Sequence, residues 1–201
     1  MRRLFFSLLC LVAISAYADG NVITRVLHQD PTLEHLDFCN GGGCAEVQAV
    51  SLTEEEWAQV QDAFEPAAET AEDERKSIGH AIALLEQVVG PKTGTDTDRG
   101  GTFGNSGYPG QLDCNDEATN TTTYLKLMLK DNLLHFHHPI DTKTRAFFFN
   151  GWPHTTAVIQ ENIGGKKFAV DSWFFDNGKP PVIIPLEQWR NGWRPPSKES
   201  L

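Results

Sequence analysis

The stretch LDCNDEATNTTTYL, residues 112–125, places a cysteine between an acidic and an amide side chain and continues as a threonine-rich segment. From Asp113 onward the apolar positions have helical spacing, so the segment predicts a helix that begins at or near Cys114. Threonine is a poor helix former because its β-branched side chain loses rotamer freedom in a helix. Such a helix needs tertiary packing for its stability. We therefore expect a buried central helix.

The segment before the central helix begins with a strand and a short helix. Residues 46–52 alternate well enough for a strand. Thr53 and Glu56 then form a capping box, in which each side chain hydrogen-bonds the other residue's backbone N–H. Pro66 is expected to end this first helix.

A second helix and a long loop complete the part of the chain that precedes Cys114. The helix is expected at about residues 68–89, with Gly90-Pro91 as its stop. Residues 92–111 contain six glycines and few large apolar side chains, which predicts a loop. A loop of this length in a compact domain is typically functional or mobile, and this one leads directly to Cys114.

The chain after the central helix has the pattern of short strands. Gly164-Gly165 supplies the turn of a hairpin, and residues 186–190 predict a closing helical turn. Helices followed by antiparallel strands indicate an α+β fold, with the central helix packed on an antiparallel sheet. The expected strands are residues 133–137, 145–149, 154–160, 167–174 and 182–184.

The N-terminus has the features of a secretory signal peptide. Two arginines precede an apolar run at residues 4–16, and Ala16-Tyr17-Ala18 supplies an A-x-A cleavage pattern. The run is shorter than the roughly 20 apolar residues that a membrane-spanning helix needs. We expect cleavage of residues 1–18, a single domain at residues 19–201, and a periplasmic or secreted location.

The charge of the chain excludes one class of partner. Its 27 acidic and 17 basic side chains give a formal net charge of −10. Nucleic-acid-binding proteins neutralise phosphates with basic patches, and no basic stripe is present. The sequence after residue 18 also has no second long apolar run. We expect a peptide or protein partner, no nucleic acid and no membrane span.

The three cysteines that follow the signal peptide separate into a close pair and a distant one. Cys39 and Cys44 can close a small loop whose three glycines make the tight path feasible. That pairing leaves Cys114 as a free thiol, which in a secreted protein marks a reactive candidate. Pairing of Cys114 with Cys39 or Cys44 stays open at this stage. So does a zinc site that includes His35.

A cysteine becomes a useful nucleophile when its surroundings stabilise the thiolate. A helix N-terminus and a nearby histidine both lower a cysteine pKa, and Cys114 meets the first condition. His154 begins one strand of the hairpin, and Asp171 lies in the other. Folding about Gly164-Gly165 pairs positions whose numbers sum to about 325–329, which brings Asp171 within reach of His154. The three residues therefore predict a Cys-His-Asp triad.

Three short motifs resemble the bacterial transglutaminase-like cysteine proteinases of the papain-like superfamily. The run Asp113-Cys114-Asn115-Asp116-Glu117-Ala118 is similar to the family's D-C-x-D-x-A segment. His154-Thr155-Thr156-Ala157-Val158 and Ala169-Val170-Asp171 are similar to its H-A-V and L-D-N segments. The resemblance covers about residues 110–176. It implies a papain/transglutaminase-like fold, with Cys114 as nucleophile, His154 as general base and acid, and Asp171 as the orienting carboxylate.

The chain departs from the family pattern at two positions and carries no sign of a cofactor. Leu112 stands where the family usually has glycine, and Ser172 where it has asparagine. Calcium-dependent members use acidic residues on both sides of the cysteine, and Asn115 is neutral here. No cofactor and no metal are expected.

An oxyanion hole needs two donors beside the nucleophile. The backbone N–H of Cys114 is the natural first donor. Gln111, Tyr108 and Trp152 are the candidates for the second, and each is also suited to loop packing.

A rival metal site is suggested by His135 and His137, which would share one face of a strand. No acidic ligand at matching spacing completes it, although Asp141 is near. We expect these histidines to lie on the surface of an edge strand.

The sequence therefore predicts a secreted thiol hydrolase, a peptidase or amidase that acts on peptide, isopeptide or amide bonds. Peptidoglycan peptides are among the candidate substrates of an exported bacterial protein. One alternative is a cell-wall peptidase of the NlpC/P60 type, which also has a D-C pair at a helix start but usually a third residue other than aspartate. Another alternative is a catalytically silent binding module on the same fold.

Overall fold

The computed structural model describes three stretches of the chain, residues 22–104, 108–145 and 153–196. The expected signal peptide at residues 1–18 lies outside the described residues. So do Trp152 and residues 146–149 of one expected strand.

Two antiparallel sheets and the helices packed on them form the described chain. The smaller sheet pairs β1, Leu36–Asn40, with β2, Glu46–Val50. The larger has the order β3-β4-β5-β6, with strands His137–Arg145, His154–Glu161, Lys167–Asp171 and Val182–Pro185. The helices after the first strand are α1, Glu54–Asp62, α2, Ala71–Thr93, α3, Cys114–Lys130, and α4, Leu186–Arg190, and residues 22–28 before it are also helical. This mixture of helix and antiparallel sheet confirms the expected α+β class.

Helix α3 is the buried central helix that its threonine content predicts. It packs against β1, β3, β4, β5 and α2, and its threonines at positions 119 and 121–123 are buried. Three of their hydroxyls donate to carbonyls one turn earlier, as in Thr122 Oγ1 to the Ala118 oxygen at 2.7 Å. These bonds satisfy polar groups that would otherwise be buried without partners. Packing and back-bonding together offset the poor helix propensity of threonine.

One apolar core joins the helices to both sheets. It is built from the inward faces of α1, α2 and α3 and from alternate residues of the strands. Full burial of an aliphatic side chain stabilises the fold by about 1.5–3 kcal/mol, so this core is the main stabilising element. Its fully buried members include Val60, Ile78, Ile82, Leu85, Leu125, Met128 and Ile159.

The helix boundaries agree with the sequence in one place and correct it in another. The capping box of Thr53 and Glu56 is present at the start of α1. The expected stop of α2 at Gly90-Pro91 is wrong, because the helix runs on to Thr93 and ends at Gly94 in the left-handed conformation, φ 74°. Pro91 lies on the exposed face of the helix. Proline has no N–H to donate to the carbonyl one turn earlier, but on an exposed face water can donate instead, so the helix continues.

The strand boundaries also differ from expectation at three places. Strand β1 was not expected, and it pairs with β2 across the cysteine loop. The strand expected at residues 133–137 is wrong, because Asn132 has a left-handed φ of 57° and β3 begins only at His137. Strand β5 ends at Asp171, where the chain enters a turn closed by the Phe175 N–H and the Ser172 carbonyl.

Two further observations bear on the compartment. Within residues 22–104, 108–145 and 153–196, no helix is both long and apolar enough to cross a membrane. Cys39 and Cys44 form a disulfide, and such bonds persist in oxidising compartments. The disulfide is consistent with a secreted protein.

Candidate functional site

Cys114 is the first residue of α3, and the residue before it caps the helix. The carboxylate of Asp113 accepts the backbone N–H groups of Asn115 and Asp116 at 2.8 and 2.9 Å. Asp116 returns a bond to the N–H of Asp113 at 3.2 Å, which completes a capping box. The thiol is therefore held at the positive end of the helix dipole.

The disulfide loop forms hydrogen bonds with the same end of the helix. Its backbone N–H groups at Gly42 and Cys44 donate to the two carboxylate oxygens of Asp116 at 2.8 and 2.7 Å, and Gly43 donates to Asp113 at 2.8 Å. The joined Cys39 and Cys44 confirm the expected pairing, and Cys114 is a free cysteine. The alternative pairings and the zinc set are wrong because both loop sulfurs are already bonded to each other.

The hairpin of β4 and β5 brings His154 and Asp171 together. The strand register pairs Ala157 with Val170 and Gln160 with Lys167, sums of 327, within the expected range. His154 Nε2 lies 2.7 Å from Asp171 Oδ2. A carboxylate only accepts hydrogen bonds, so Nε2 carries the proton in this pair.

The other ring nitrogen of His154 is free to act. His154 Nδ1 is buried and has no hydrogen-bond partner among the residues that the structure describes. With the proton on Nε2, Nδ1 presents an unshared lone pair. Three aromatic rings hold the imidazole, with centroid distances of 4.6 Å to Trp173, 5.2 Å to Phe174 and 5.5 Å to Trp189. The arrangement can accept a proton at Nδ1 without moving the ring.

Cys114 and His154 line one cavity of about 410 Å³. Trp173 and Phe174 form part of its wall, and Asp171 lies behind His154. A larger concavity of about 670 Å³ lies elsewhere, beside Trp57 and α1, and holds none of the three predicted site residues. The smaller cavity is the candidate site because the nucleophilic and basic groups both face it.

The thiol of Cys114 is protonated in the resting site. Burial raises its pKa to about 11, the N–H of Thr155 opposes this, and the negative charges of Asp113 and Asp171 add to it. The expectation that the helix start and His154 lower this pKa is therefore wrong, because the pKa of Cys114 is raised. Desolvation of the thiolate outweighs the helix dipole.

The three candidates for the second oxyanion donor have different surroundings. The Gln111 side chain is buried and bonded to the loop, donating to the Thr97 carbonyl at 3.1 Å and accepting the Arg99 N–H at 3.2 Å. Tyr108 is exposed, and the Arg99 guanidinium lies 5.2 Å from its ring centroid. Trp152 lies outside the described residues. The backbone N–H of Thr155, which sequence reasoning missed, is the group that the structure places against the sulfur.

Two more side chains of the site were missed. Trp189 is fully buried, and its Nε1 donates to the same Asp171 oxygen as His154, at 2.6 Å. Arg145 ends β3, pairs with His154 across the sheet, and lines the cavity. Neither role leaves a local motif, because each depends on the approach of segments distant in the chain. The sequence around them gives little signal, since Trp189 stands between Gln188 and Arg190, and Arg145 between Thr144 and Ala146.

The rival metal site at His135 and His137 is absent from the described part of the chain. His137 is fully buried, with Nδ1 2.8 Å from a Glu74 oxygen and Nε2 3.2 Å from Arg75. The same glutamate accepts the backbone N–H groups of residues 135–137. His137 therefore fastens α2 to β3, and it is not the surface histidine that we expected.

Buried carboxyls lie behind the cysteine helix. Asp98 accepts the N–H of Leu112 at 2.7 Å, and Glu86 accepts that of Gly178 at 2.8 Å. Burial raises the pKa of Glu86 to about 7 and that of Asp98 to about 6, and burial with neighbouring carboxyls raises that of Glu117. We call Glu86, Asp98 and Glu117 the acid cluster. As the pH rises, Asp98 loses its proton near pH 6 and Glu86 near pH 7.

Comparison of the chain with protein-family models, curated proteins and solved structures finds no match. The chemistry of the site therefore rests on its own geometry.

Proposed function

We propose that the protein is a thiol hydrolase, a peptidase or amidase that acts on peptide, isopeptide or amide bonds. Cys114 is the nucleophile, His154 the general base and acid, and Asp171 the carboxylate that orients the imidazole. The observation that carries the proposal is the state of His154. Its Nε2 is bound to Asp171, and its Nδ1 is buried beside the cavity that Cys114 lines, without a partner in the described part of the chain.

The raised pKa of Cys114 determines how the first step proceeds. The thiol proton moves to His154 Nδ1 as the sulfur–carbon bond forms, so that no free thiolate has to be buried beforehand. His154 then gives this proton to the leaving nitrogen when the carbon–nitrogen bond breaks. Water attacks the resulting thioester, His154 takes a water proton, and the proton returns to the sulfur as the acid product leaves.

The arrangement of elements supports a papain/transglutaminase-like fold. A helix that begins at the cysteine packs against an antiparallel sheet that carries the histidine and aspartate on adjacent strands. The carboxylate at Asp171 favours this proposal over a cell-wall peptidase of the NlpC/P60 type, whose third residue is usually another polar group. Peptidoglycan peptides are one class of substrate to examine.

A binding module on the same cavity is the second candidate. The observation that favours it is the pKa of about 11 at Cys114, which makes the resting thiol unreactive. The two candidates differ in one measurable property, the dependence of Cys114 acylation on His154.

Acylation by 4-nitrophenyl acetate tests the proposal without knowledge of the substrate. The sulfur–acetyl bond forms, 4-nitrophenolate leaves, and intact mass shows the acetyl group on Cys114. We expect His154→Ala to slow acylation at pH 7.5 by about 10²–10⁴-fold, the usual contribution of general-base catalysis. Asp171→Asn should slow it less, because the amide still positions the ring.

The matched control is His35→Ala, because His35 also lies 3.0 Å from an aspartate, Asp37, but outside the cavity. This variant should acylate at the wild-type rate, and Cys114→Ala should not acylate there at all. Equal acylation rates in wild type and His154→Ala would refute the hydrolase and leave the binding module.

A further inference from the structure

Two arginines face the cavity that holds Cys114. Arg145 and Arg194 are part of its wall, and no carboxylate side chain is among the described residues that line it. The whole chain carries a net charge of −10. The cavity wall beside the thiol is therefore positively charged, although the protein as a whole is negatively charged.

Arg145 is buried without a carboxylate partner. It is 4% exposed, and its Nη1 donates to the backbone carbonyls of Trp189 and Trp193 at 2.9 and 3.0 Å. Among the described residues, its Nε is buried with no hydrogen-bond partner, and no carboxylate forms a salt bridge with it. Asp171 and the faces of Trp189 and Phe174, 4.8 and 5.9 Å from the guanidinium carbon, offset part of the cost of burying this charge, but no carboxylate faces it from the described lining of the cavity.

The acidic groups nearest to Arg145 and Cys114 are already engaged. Asp171 accepts hydrogen bonds from His154 and Trp189. Asp113 accepts three backbone N–H groups of the disulfide loop and the helix start. Neither carboxylate lines the cavity, so neither occupies the space in front of the guanidinium.

We propose that Arg145 and Arg194 form an anion subsite that binds a carboxylate of the substrate next to the bond cleaved at Cys114. The substrate class is then an acyl compound or peptide with a carboxylate close to the scissile bond. This inference rests on the proposed function, and it specifies the substrate of the same site. The aromatic faces of Trp173 and Phe174 complete the cavity, and they suit the apolar part of such a substrate.

Iodoacetate and iodoacetamide test the subsite directly, because they differ by one charge and little in size. Both form a sulfur–carbon bond with release of iodide, and both need the same thiolate. The ratio of their rates at pH 9 therefore does not depend on the pKa of Cys114. Relative to N-acetylcysteine, we expect Cys114 to favour iodoacetate by roughly tenfold, as for a charge pair in a partly desolvated site.

The contribution of the exposed arginine, Arg194, is tested by its replacement. Arg194→Gln should lower the normalised ratio at least threefold, and 0.5 M NaCl should lower it further by screening. Lys166→Gln makes the same charge change in the exposed β4–β5 turn and should leave the ratio unchanged. A wild-type ratio equal to that of N-acetylcysteine would overturn the subsite. So would a raised ratio that Arg194→Gln does not change.

Arg145 needs a separate variant because its carbonyl bonds also support the fold. Arg145→Gln should lower the ratio if it folds, as judged by circular dichroism, and a folded variant with the wild-type ratio would overturn the role of Arg145. The rate ratio of Arg194→Gln decides the proposal in either case. If the ratio shows no preference for iodoacetate while acetylation still depends on His154, the subsite is refuted and the hydrolase proposal is not. The two proposals can therefore be refuted separately.

The position of the carboxylate on the substrate is open to a second experiment. One pair of substrates varies the acyl side: the succinyl ester of 4-nitrophenol carries a carboxylate there, and the butyryl ester is neutral. A second pair varies the leaving group: 4-acetoxybenzoate carries a carboxylate there, and 4-acetoxybenzamide is neutral. Preference for the anion in either pair, lost in Arg194→Gln, supports the subsite and assigns its side. No preference in both pairs contradicts it.

Discussion

A single oxygen of Asp171 accepts two hydrogen bonds, from His154 Nε2 at 2.7 Å and from Trp189 Nε1 at 2.6 Å. The carboxylate is buried, so each donor offsets part of its desolvation. The indole fixes the carboxylate, and the carboxylate fixes the imidazole. Trp189 is therefore a positioning residue that acts on His154 through Asp171.

We predict that Trp189→Phe lowers both stability and acylation while the fold persists. The phenyl ring fills most of the space, but the bond to the carboxylate is lost, which costs about 1.5–3 kcal/mol of unfolding free energy. The orientation of His154 loosens, so acetylation of Cys114 should slow by about tenfold. Urea denaturation and the mass assay measure the two effects.

Trp57→Phe is the matched control, because Trp57 Nε1 donates to an Asp131 oxygen at 2.8 Å, remote from Cys114. It should lose stability without slower acetylation. If both variants slow acetylation equally, the cause is a loss of stability of the whole fold, and the positioning role of Trp189 is wrong.

The residues of the site differ in how visible they were from sequence. Cys114 followed a helix-start pattern, and the pairing of His154 with Asp171 followed from counting residues about one glycine turn. Both inferences use local geometry. Arg145 and Trp189 act through contacts between separate segments, 44 residues apart for the 2.9 Å bond from Arg145 to the Trp189 carbonyl and 18 residues apart for the bond from Trp189 to Asp171. Their roles appear only when the chain is folded.

Among the elements, the disulfide loop has the most specific relation to the site. Its N–H groups at residues 42–44 bind the carboxylates of Asp113 and Asp116, which flank the cysteine. Asn120 of α3 adds bonds of 2.7 and 2.9 Å to the backbone of Cys39. The loop and the first turns of α3 are therefore one hydrogen-bonded unit.

We predict that the double variant Cys39→Ala/Cys44→Ala loses about 2 kcal/mol of unfolding free energy, the chain-entropy value for so short a loop. The freed loop holds Asp113 and Asp116 less firmly, so acetylation of Cys114 should also slow. Denaturant unfolding and the mass assay measure these changes.

Dithiothreitol provides the control for this prediction. It should lower the melting temperature of the wild type and leave that of the double variant unchanged. A wild type that is insensitive to full reduction would contradict the stabilising role of the disulfide.

The elements predicted well were those with local signals. Thr53 and Glu56 identify the start of α1, and the glycine turn identifies the hairpin of β4 and β5. Strand β1 was missed because its extended form depends on pairing with β2, and α2 passes Pro91 because that residue is exposed. Propensity rules describe a segment by itself, and tertiary contacts decided these two cases.

The acid cluster makes the stability of the whole fold depend on pH. Glu86 and Asp98 have folded-state pKa values of about 7 and about 6, above their ordinary values of 4.5 and 3.8. Between those limits the folded protein binds more protons than the unfolded chain. Their contribution to stability is complete below about pH 4 and is lost as the pH rises through 7.

We predict that the melting temperature falls from pH 5 to pH 8, and that Glu86→Gln makes this dependence flatter because its amide has no proton to lose. Glu74 does not counteract this trend, since hydrogen bonds to His137 and to backbone N–H groups outweigh burial and lower its pKa below 4.5. Differential scanning fluorimetry across the range measures the slope.

Glu72→Gln, a change at an exposed glutamate of α2, serves as the control and should retain the wild-type slope. A melting temperature that rises over this pH range in the wild type would show that the acid cluster is not protonated as described.

The position of α4 in the chain has a consequence for the order in which the protein acquires its chemistry. Trp189 and Trp193 follow the cysteine, the histidine and the aspartate in the sequence, yet they hold Asp171 and Arg145 in place. During synthesis, which proceeds from the N-terminus, the thiol emerges before the residues that complete its surroundings. A nascent chain therefore carries an incomplete site until α4 has docked, because Asp171 and Arg145 lack their tryptophan contacts before then.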